Sequence, residues 1–430
     1  MKPETTTPHS VEKHNARRFI GANALQNLSD QLVAAKTVLP WLFQAAGVPA
    51  FFTGLLVPIR ESGSMLPQSA LTPWVVQHSR RRNLWVFGAV IQATAAAAMA
   101  AAAFVFSGTS LGVVVLALLA VLSLGRALCS ITGKDIQGRT ISKGSRGVVT
   151  GKATMWGGAA ALVVGIGLMF LNDTLGASIS VLSALLLLGA IAWALSGLVI
   201  WGVKEPESDK NAGRGKNQEL TPWNLWRDDK QFRNFVIVRS LLLVSALSTS
   251  FIVVLAAEMG VGSLSGLAGF ILASSTAGLV GGQVSGRLSD ISSKQVMTWG
   301  AALASCTLIA LVGAAYILPH PALAVVFPVA FFLVNLVHTG IRVARKTYVV
   351  DMASGDTRTA YVGAANTLMG VILLGVGAIS AGFAQFGASV ALLFLAAIGF
   401  IGVWRARSLA DVSEPTSSHT FAASAPDNER

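Results

Sequence analysis

Long apolar runs alternate with short polar connections along most of this chain. A membrane-crossing helix needs about 20 mostly apolar residues. Twelve such windows can be drawn: 24–46, 50–77, 84–107, 111–133, 148–170, 179–203, 234–257, 264–288, 295–317, 322–344, 359–384 and 388–405. The pattern predicts an all-α integral membrane protein with twelve transmembrane helices. Six windows precede the one long polar stretch between spans and six follow it. The expected organisation is an N-terminal tail over 1–20, a six-helix bundle over 21–203 and a central loop over 204–233. A second six-helix bundle over 234–406 and a polar, disordered tail over 407–430 complete it.

Composition agrees: 53% of residues are apolar and only 12% charged, about half the charged share of a soluble protein. The basic residues are placed unevenly. Connections on the side of the N-terminus hold Arg80, Arg81 and Arg82, then Lys134, Arg139, Lys143 and Arg146, and later Arg287, Lys294, Arg342, Arg345, Lys346 and Arg358. The opposite connections, near residues 48, 109, 174, 261, 320 and 386, have no Lys or Arg. By the positive-inside rule both termini are expected in the cytoplasm, with the chain in a cell inner membrane. The net charge of +12 then reads as attraction to anionic headgroups rather than to nucleic acid. The first twenty residues have no apolar core or cleavage site, so no secretory signal is expected. Cys129 and Cys306 stand alone and the six histidines are scattered, which supports no disulfide framework, no metal site and no cofactor. Without a phosphate-cradling Gly loop, an HExxH or a nucleophile motif, an enzyme is not expected.

The two halves repeat at an offset of about 212 residues. Gly88-Ala89 matches Gly300-Ala301, Lys134 matches Lys346, and Ser142 to Arg146 followed by Gly151 matches Ser354 to Arg358 followed by Gly363. Gly286-Arg287-Leu288-Ser289-Asp290-Ile291-Ser292-Ser293-Lys294 lies between spans 8 and 9. With the 6+6 duplication, this stretch resembles the major facilitator superfamily of secondary transporters over about residues 20–406. The resemblance implies two pseudo-symmetric bundles rocking about a midplane site. It also implies a gating loop at Gly286, Asp290 and Lys294, with its counterpart at Arg80, Arg81 and Arg82. That counterpart has His78 where the repeat places Asp290. Arg126 in LSLGRALCSITG resembles the superfamily's span-4 arginine, tied in some members to proton coupling. Span 5 has several glycines but no proline, unlike many drug/proton antiporters of the family.

Charges inside the first two spans carry the candidate chemistry. Asp30, Lys36, Arg60 and Glu61 lie well within them, where each charge costs about 2.5–3.5 kcal/mol on insertion scales. On one continuous helix Asp30 and Lys36 would stand about 240° apart, so each needs a partner elsewhere. Arg60 and Glu61, adjacent, point to different neighbours. At an offset of about 215 residues the second half has Ser245, Phe251, Ser275 and Thr276 in their places. Chemistry is therefore expected mainly in the first half. Asp30 or Glu61 would carry a proton, while Lys36, Arg60 and Arg126 bind an anionic or zwitterionic substrate or tune the acid. A purely structural pairing of Asp30 or Arg126 is the plain alternative. Asn27, Asn335, His338 and Asn366 are polar at membrane depth and serve helix–helix hydrogen bonding or ligand contact equally well. Lys152 and Arg342 sit near span ends, where long side chains snorkel. The expected function is a monomeric, proton-coupled secondary transporter of a small organic anion or zwitterion. A drug or metabolite exporter, and a non-transporting receptor or assembly factor of the same fold, remain alternatives.

Overall fold

Proline decides where the first two spans break. In the computed structural model, whose described residues are 9–142, 145–170, 178–205, 222–261, 264–352, 358–410 and 412, span 1 is split into α1 (His9–Leu32) and α2 (Val38–Ala45). Pro40 lacks the N–H that the Lys36 carbonyl would accept from, and its ring crowds that carbonyl. The segment between, residues 33–37, is therefore non-helical. Lys36 stands in it. Span 2 is likewise split, at Leu66-Pro67, into α3 (Ala50–Met65) and α4 (Gln68–Gln77), and Pro58 lies inside α3. The expectation of continuous helices here is corrected, and with it the angle computed between Asp30 and Lys36.

The remaining first-half helices are α5 (Arg81–Val105), α6 (Gly108–Thr140), α7 (Arg146–Phe170) and α8 (Ile179–Trp201). After a short α9 (Pro222–Asp228), the Asp229 carboxylate caps α10 (Lys230–Leu241) by accepting from the Gln231 and Phe232 amides at 2.8 and 2.9 Å. Then follow α11 (Val244–Glu258) and α12 (Leu264–Ile317), which carries spans 8 and 9 across a kink at Ser292. Ser292 Oγ accepts from the Gln295 amide at 3.2 Å and so caps the helix that restarts there. The chain ends with α13 (His320–Met352), α14 (Arg358–Phe383) and α15 (Ala388–Ala406). Each of the twelve expected windows is mostly helical over its described residues, and no strand occurs there. Among the described residues, nine helical segments are long and apolar enough to cross a membrane. The first, second and eighth windows are not among them: prolines and charges interrupt two, and the third supplies only the shorter apolar helix Gly266–Gly281.

Large apolar side chains such as Phe104, Phe170, Leu198, Ile317 and Trp404 stand exposed on the outside of the helices, as a lipid-facing surface requires. Where the two halves of the chain meet, small residues permit close approach. A Cβ on Gly54 would lie 2.7 Å from Ala381 and 2.9 Å from Phe251, and one on Gly377 would collide with Pro58. Farther in, Leu279 covers Gly158. Trp41, Phe270 and Phe331 form an aromatic plug, with ring centroids 6.4 and 4.8 Å apart. These contacts lie between mid-depth and the end of the molecule away from its termini.

On the side of the termini, Glu205 reaches back to the start of α5, accepting from the Arg81 and Arg82 amides at 3.1 and 3.0 Å. Arg81 Nε lies 2.6 Å from Asp135 of α6, which also holds Arg139 at 3.0 Å. Residues 206–221 of the central loop and 413–430 of the tail, including most of the expected disordered segment, fall outside the described residues.

Candidate functional site

A cavity of 320 Å³ lies between the halves, lined by Asp30, Lys36, Arg60, Glu61, Arg126 and Arg342 among others. Six helices, α1, α3, α6, α7, α12 and α13, supply it together with the unwound segment that holds Lys36. All four charges in spans 1 and 2 line it.

Asp30 is doubly paired. Arg60 Nη2 lies 2.7 Å from its Oδ1 and Arg126 Nη2 lies 2.7 Å from its Oδ2. The side chains of Asp30 and Arg60 are 22% and 15% exposed, so the cluster is half-hydrated rather than dry. Arg126 also donates to Gln26 Oε1 at 2.7 Å, and the Trp193 indole donates to the same oxygen at 3.1 Å. Arg126 is thus fixed from two sides, and α1 is locked to α3, α6 and α8.

Glu61 faces the same cavity in a different setting. Among the described residues its carboxylate has no ion pair within 4.0 Å, and only its backbone carbonyl accepts a hydrogen bond, from Ser64 Oγ at 2.8 Å. It lies within electrostatic reach of Lys36 and Arg345. Arg60 and Glu61 do point apart, one to Asp30 and the other across the cavity.

Lys36 finds its partner in the second half: its ammonium donates to Asn335 Oδ1 at 3.3 Å, and the Asn335 amide donates to the Phe331 carbonyl at 2.9 Å. The polar floor of the cavity therefore rests directly on the aromatic plug. The unwound stretch before Pro40 is what brings Lys36 there, free of any helix face.

Other expected residues are more dispersed. Asn27 lines the cavity and donates to the Ala153 carbonyl at 3.4 Å. His338 meets Ser245 Oγ at 3.4 Å, and Asn366 accepts from Arg239 at 3.5 Å. Of the expected gating residues, Arg81 binds Asp135, and Arg82 donates to the Val203 carbonyl at 2.6 Å. Both partners lie in the first half. Arg80 is exposed on the same side. Lys294 donates to the Leu409 carbonyl at 2.6 Å and ties down the chain after α15. The surroundings of Gly286 and the side chain of Asp290 fall outside what the structure describes. In the first half, where the repeat offers His78, the start of α5 is capped by Glu205.

Sequence reasoning missed several residues. Arg342, read as a snorkelling span-end residue, lines the cavity instead. Arg239 and Arg345 are buried, 5% and 9% exposed, so the second half is not poor in charge as the offset comparison suggested. A signal was available in span 10: Asn335, His338, Arg342 and Arg345 follow one another at steps of three and four residues, one face of a helix. Gln26, buried at the hub between Arg126 and Trp193, had no comparable signal.

Comparison with solved structures gives the fold a context. A D-xylose–proton symporter superposes with a TM-score of 0.71 over 95% of this chain and 99% of its own, at 11% identity. The nucleoside transporter NupG gives 0.68 over 92% and 98%, at 14% identity. A POT family transporter in complex with a thioalcohol-conjugated peptide gives 0.68 over 90% and 94%, at 12% identity. Such identities carry the fold and no more. No curated protein sequence matches this chain. The sequence model described as Major Facilitator Superfamily matches residues 31–372, and the chain belongs to that family.

Proposed function

We propose that this transporter-family protein works by alternating access on a small organic anion or zwitterion and couples that movement to protons. The observation that carries this reading is the unequal state of the two cavity acids. Asp30 is held by two arginines, whereas Glu61 has no ion pair among the described residues and faces a group of cations. An acid so placed gains or loses a proton as its surroundings change between the two open forms. Glu61 is therefore the proton carrier in this reading, and Asp30 positions Arg60 and Arg126.

The cavity-lining groups Lys36, Arg60, Arg126 and Arg342 outnumber Asp30 and Glu61, which favours an anionic group on the substrate. A broad exporter of apolar drugs fits such a lining poorly, and a receptor built around fully paired charges would not leave Glu61 unpaired. That a neighbouring fold is named a D-xylose–proton symporter is in keeping with proton coupling in this architecture.

The reading takes the protein as a monomer in a cell inner membrane with both termini in the cytoplasm. Residues 21–203 and 234–406 are its two moving bundles, and this form is open toward the cytoplasm. The test is reconstitution into liposomes with a panel of small labelled carboxylates and amino acids under an imposed pH gradient. Glu61→Gln should abolish gradient-driven accumulation while leaving exchange in place. Wild-type accumulation by Glu61→Gln would defeat the assignment.

A further inference from the structure

Behind the cavity, on the side of the termini, the second half holds two buried guanidinium groups from different helices. Arg239 of α10 and Arg345 of α13 are within electrostatic reach of each other, and they are only 5% and 9% exposed. The Nε atom of each is enclosed and has no hydrogen-bond partner. Arg239 has modest company: Asn366 Oδ1 at 3.5 Å and the face of Phe235, with the guanidinium carbon 5.9 Å from the ring centroid. Arg345 makes no hydrogen bond or ion pair among the described residues; the carboxylate within its electrostatic reach is Glu61. Among the described residues no acid is within electrostatic reach of Arg239 and only Glu61 is within reach of Arg345; enclosing two like charges with so little compensation is costly unless an anion completes the group.

We infer that Arg239, Arg345 and Asn366 form an oxyanion-binding site in the second half, separate from the Asp30 cluster and reached past Arg342. Each guanidinium offers a fork of N–H donors suited to carboxylate, phosphate or sulfate oxygens. The Asn366 amide can supply a further donor once its oxygen is released from Arg239. Arg342, one turn before Arg345 on α13 and lining the open cavity, connects the two places. The occupant is either the second anionic group of the transported molecule or a separate small anion, and both present the same oxygens.

The probe is inorganic sulfate, whose charge does not change near neutral pH, titrated calorimetrically into the purified full-length protein. Saturable binding is expected, weakened about tenfold or more in Arg345→Gln. Asn366→Asp should weaken it as well, because the new carboxylate occupies Arg239 from within and keeps the fold intact. Competition of sulfate with dicarboxylates but not monocarboxylates would assign the site to a transported dianion; indifference to both would assign it to a separate anion. Either result upholds the site. No saturable sulfate binding to the wild type would overturn it. So would binding that survives both variants but disappears in Arg60→Gln, and in that case the cavity reading of the function would stand unharmed.

Discussion

Lys36 and Asn335, 299 positions apart in the chain, are joined by a hydrogen bond of 3.3 Å at the floor of the cavity. The bond ties the unwound segment of span 1 to the middle of α13. It is a cross-half contact made by a charged group, placed just above the aromatic plug.

Breaking that contact should loosen the closed end. Asn335→Ala removes the acceptor and leaves the ammonium to water, at a cost of about 1–2 kcal/mol. Thermal unfolding in detergent reads the loss, and a double-mutant cycle with Lys36→Met should recover a coupling of similar size. Strict additivity of the two changes would mean that the bond contributes nothing.

Asp30→Asn should be more harmful than Arg60→Gln. The first leaves two guanidinium groups facing each other, whereas the second leaves Asp30 with Arg126. Since the pair is partly exposed, the loss for Asp30→Asn should fall below the about 3–5 kcal/mol seen for fully buried pairs. Unfolding midpoints compared at one detergent concentration test the order. The reverse ranking would contradict the double pairing.

Gly54→Val and Gly377→Val should each wedge the halves apart at the end away from the termini, because the added carbons meet Ala381, Phe251 and Pro58. A cysteine placed at Ala34, on the cavity wall, should then react faster with an impermeant maleimide applied from that end. The native Cys129 and Cys306 would be replaced first. Labelling as slow as in the parent would show that these glycines are not where the halves close.

Glu205→Gln should weaken the start of α5. A carboxylate at a helix N-terminus interacts with both the free amides and the helix dipole, together worth about 1 kcal/mol. The drop should shrink at high salt. A salt-independent drop would point to packing rather than charge.

Membrane character and the all-helical fold followed from apolar run length, which is a property of the chain alone. The gathering of Asp30, Lys36, Arg60, Glu61 and Arg126 was also legible, since buried charge needs partners. Their pairing was not. Lys36 reached Asn335 because Pro40 unwinds the helix ahead of it, and a window average does not register one missing N–H. Arg342 and Arg345 were hidden by their nearness to a loop full of basic residues. There the lipid-surface reading absorbed every charge alike. Arg239 was passed over because the halves were compared by offset from the first-half charges, which aligns residues without aligning the faces they present.

Glu205 and Asp229 give the central connection a clamp at each end. Glu205 holds the start of α5, and Asp229 caps α10 while accepting from the Tyr361 hydroxyl at 2.6 Å. A backbone cut between residues 206 and 221 would spare both clamps. Two separately encoded polypeptides, ending and beginning within that interval, should therefore find each other in the membrane and rebuild the cavity. The covalent link would then matter for matched synthesis of the two parts more than for their fit.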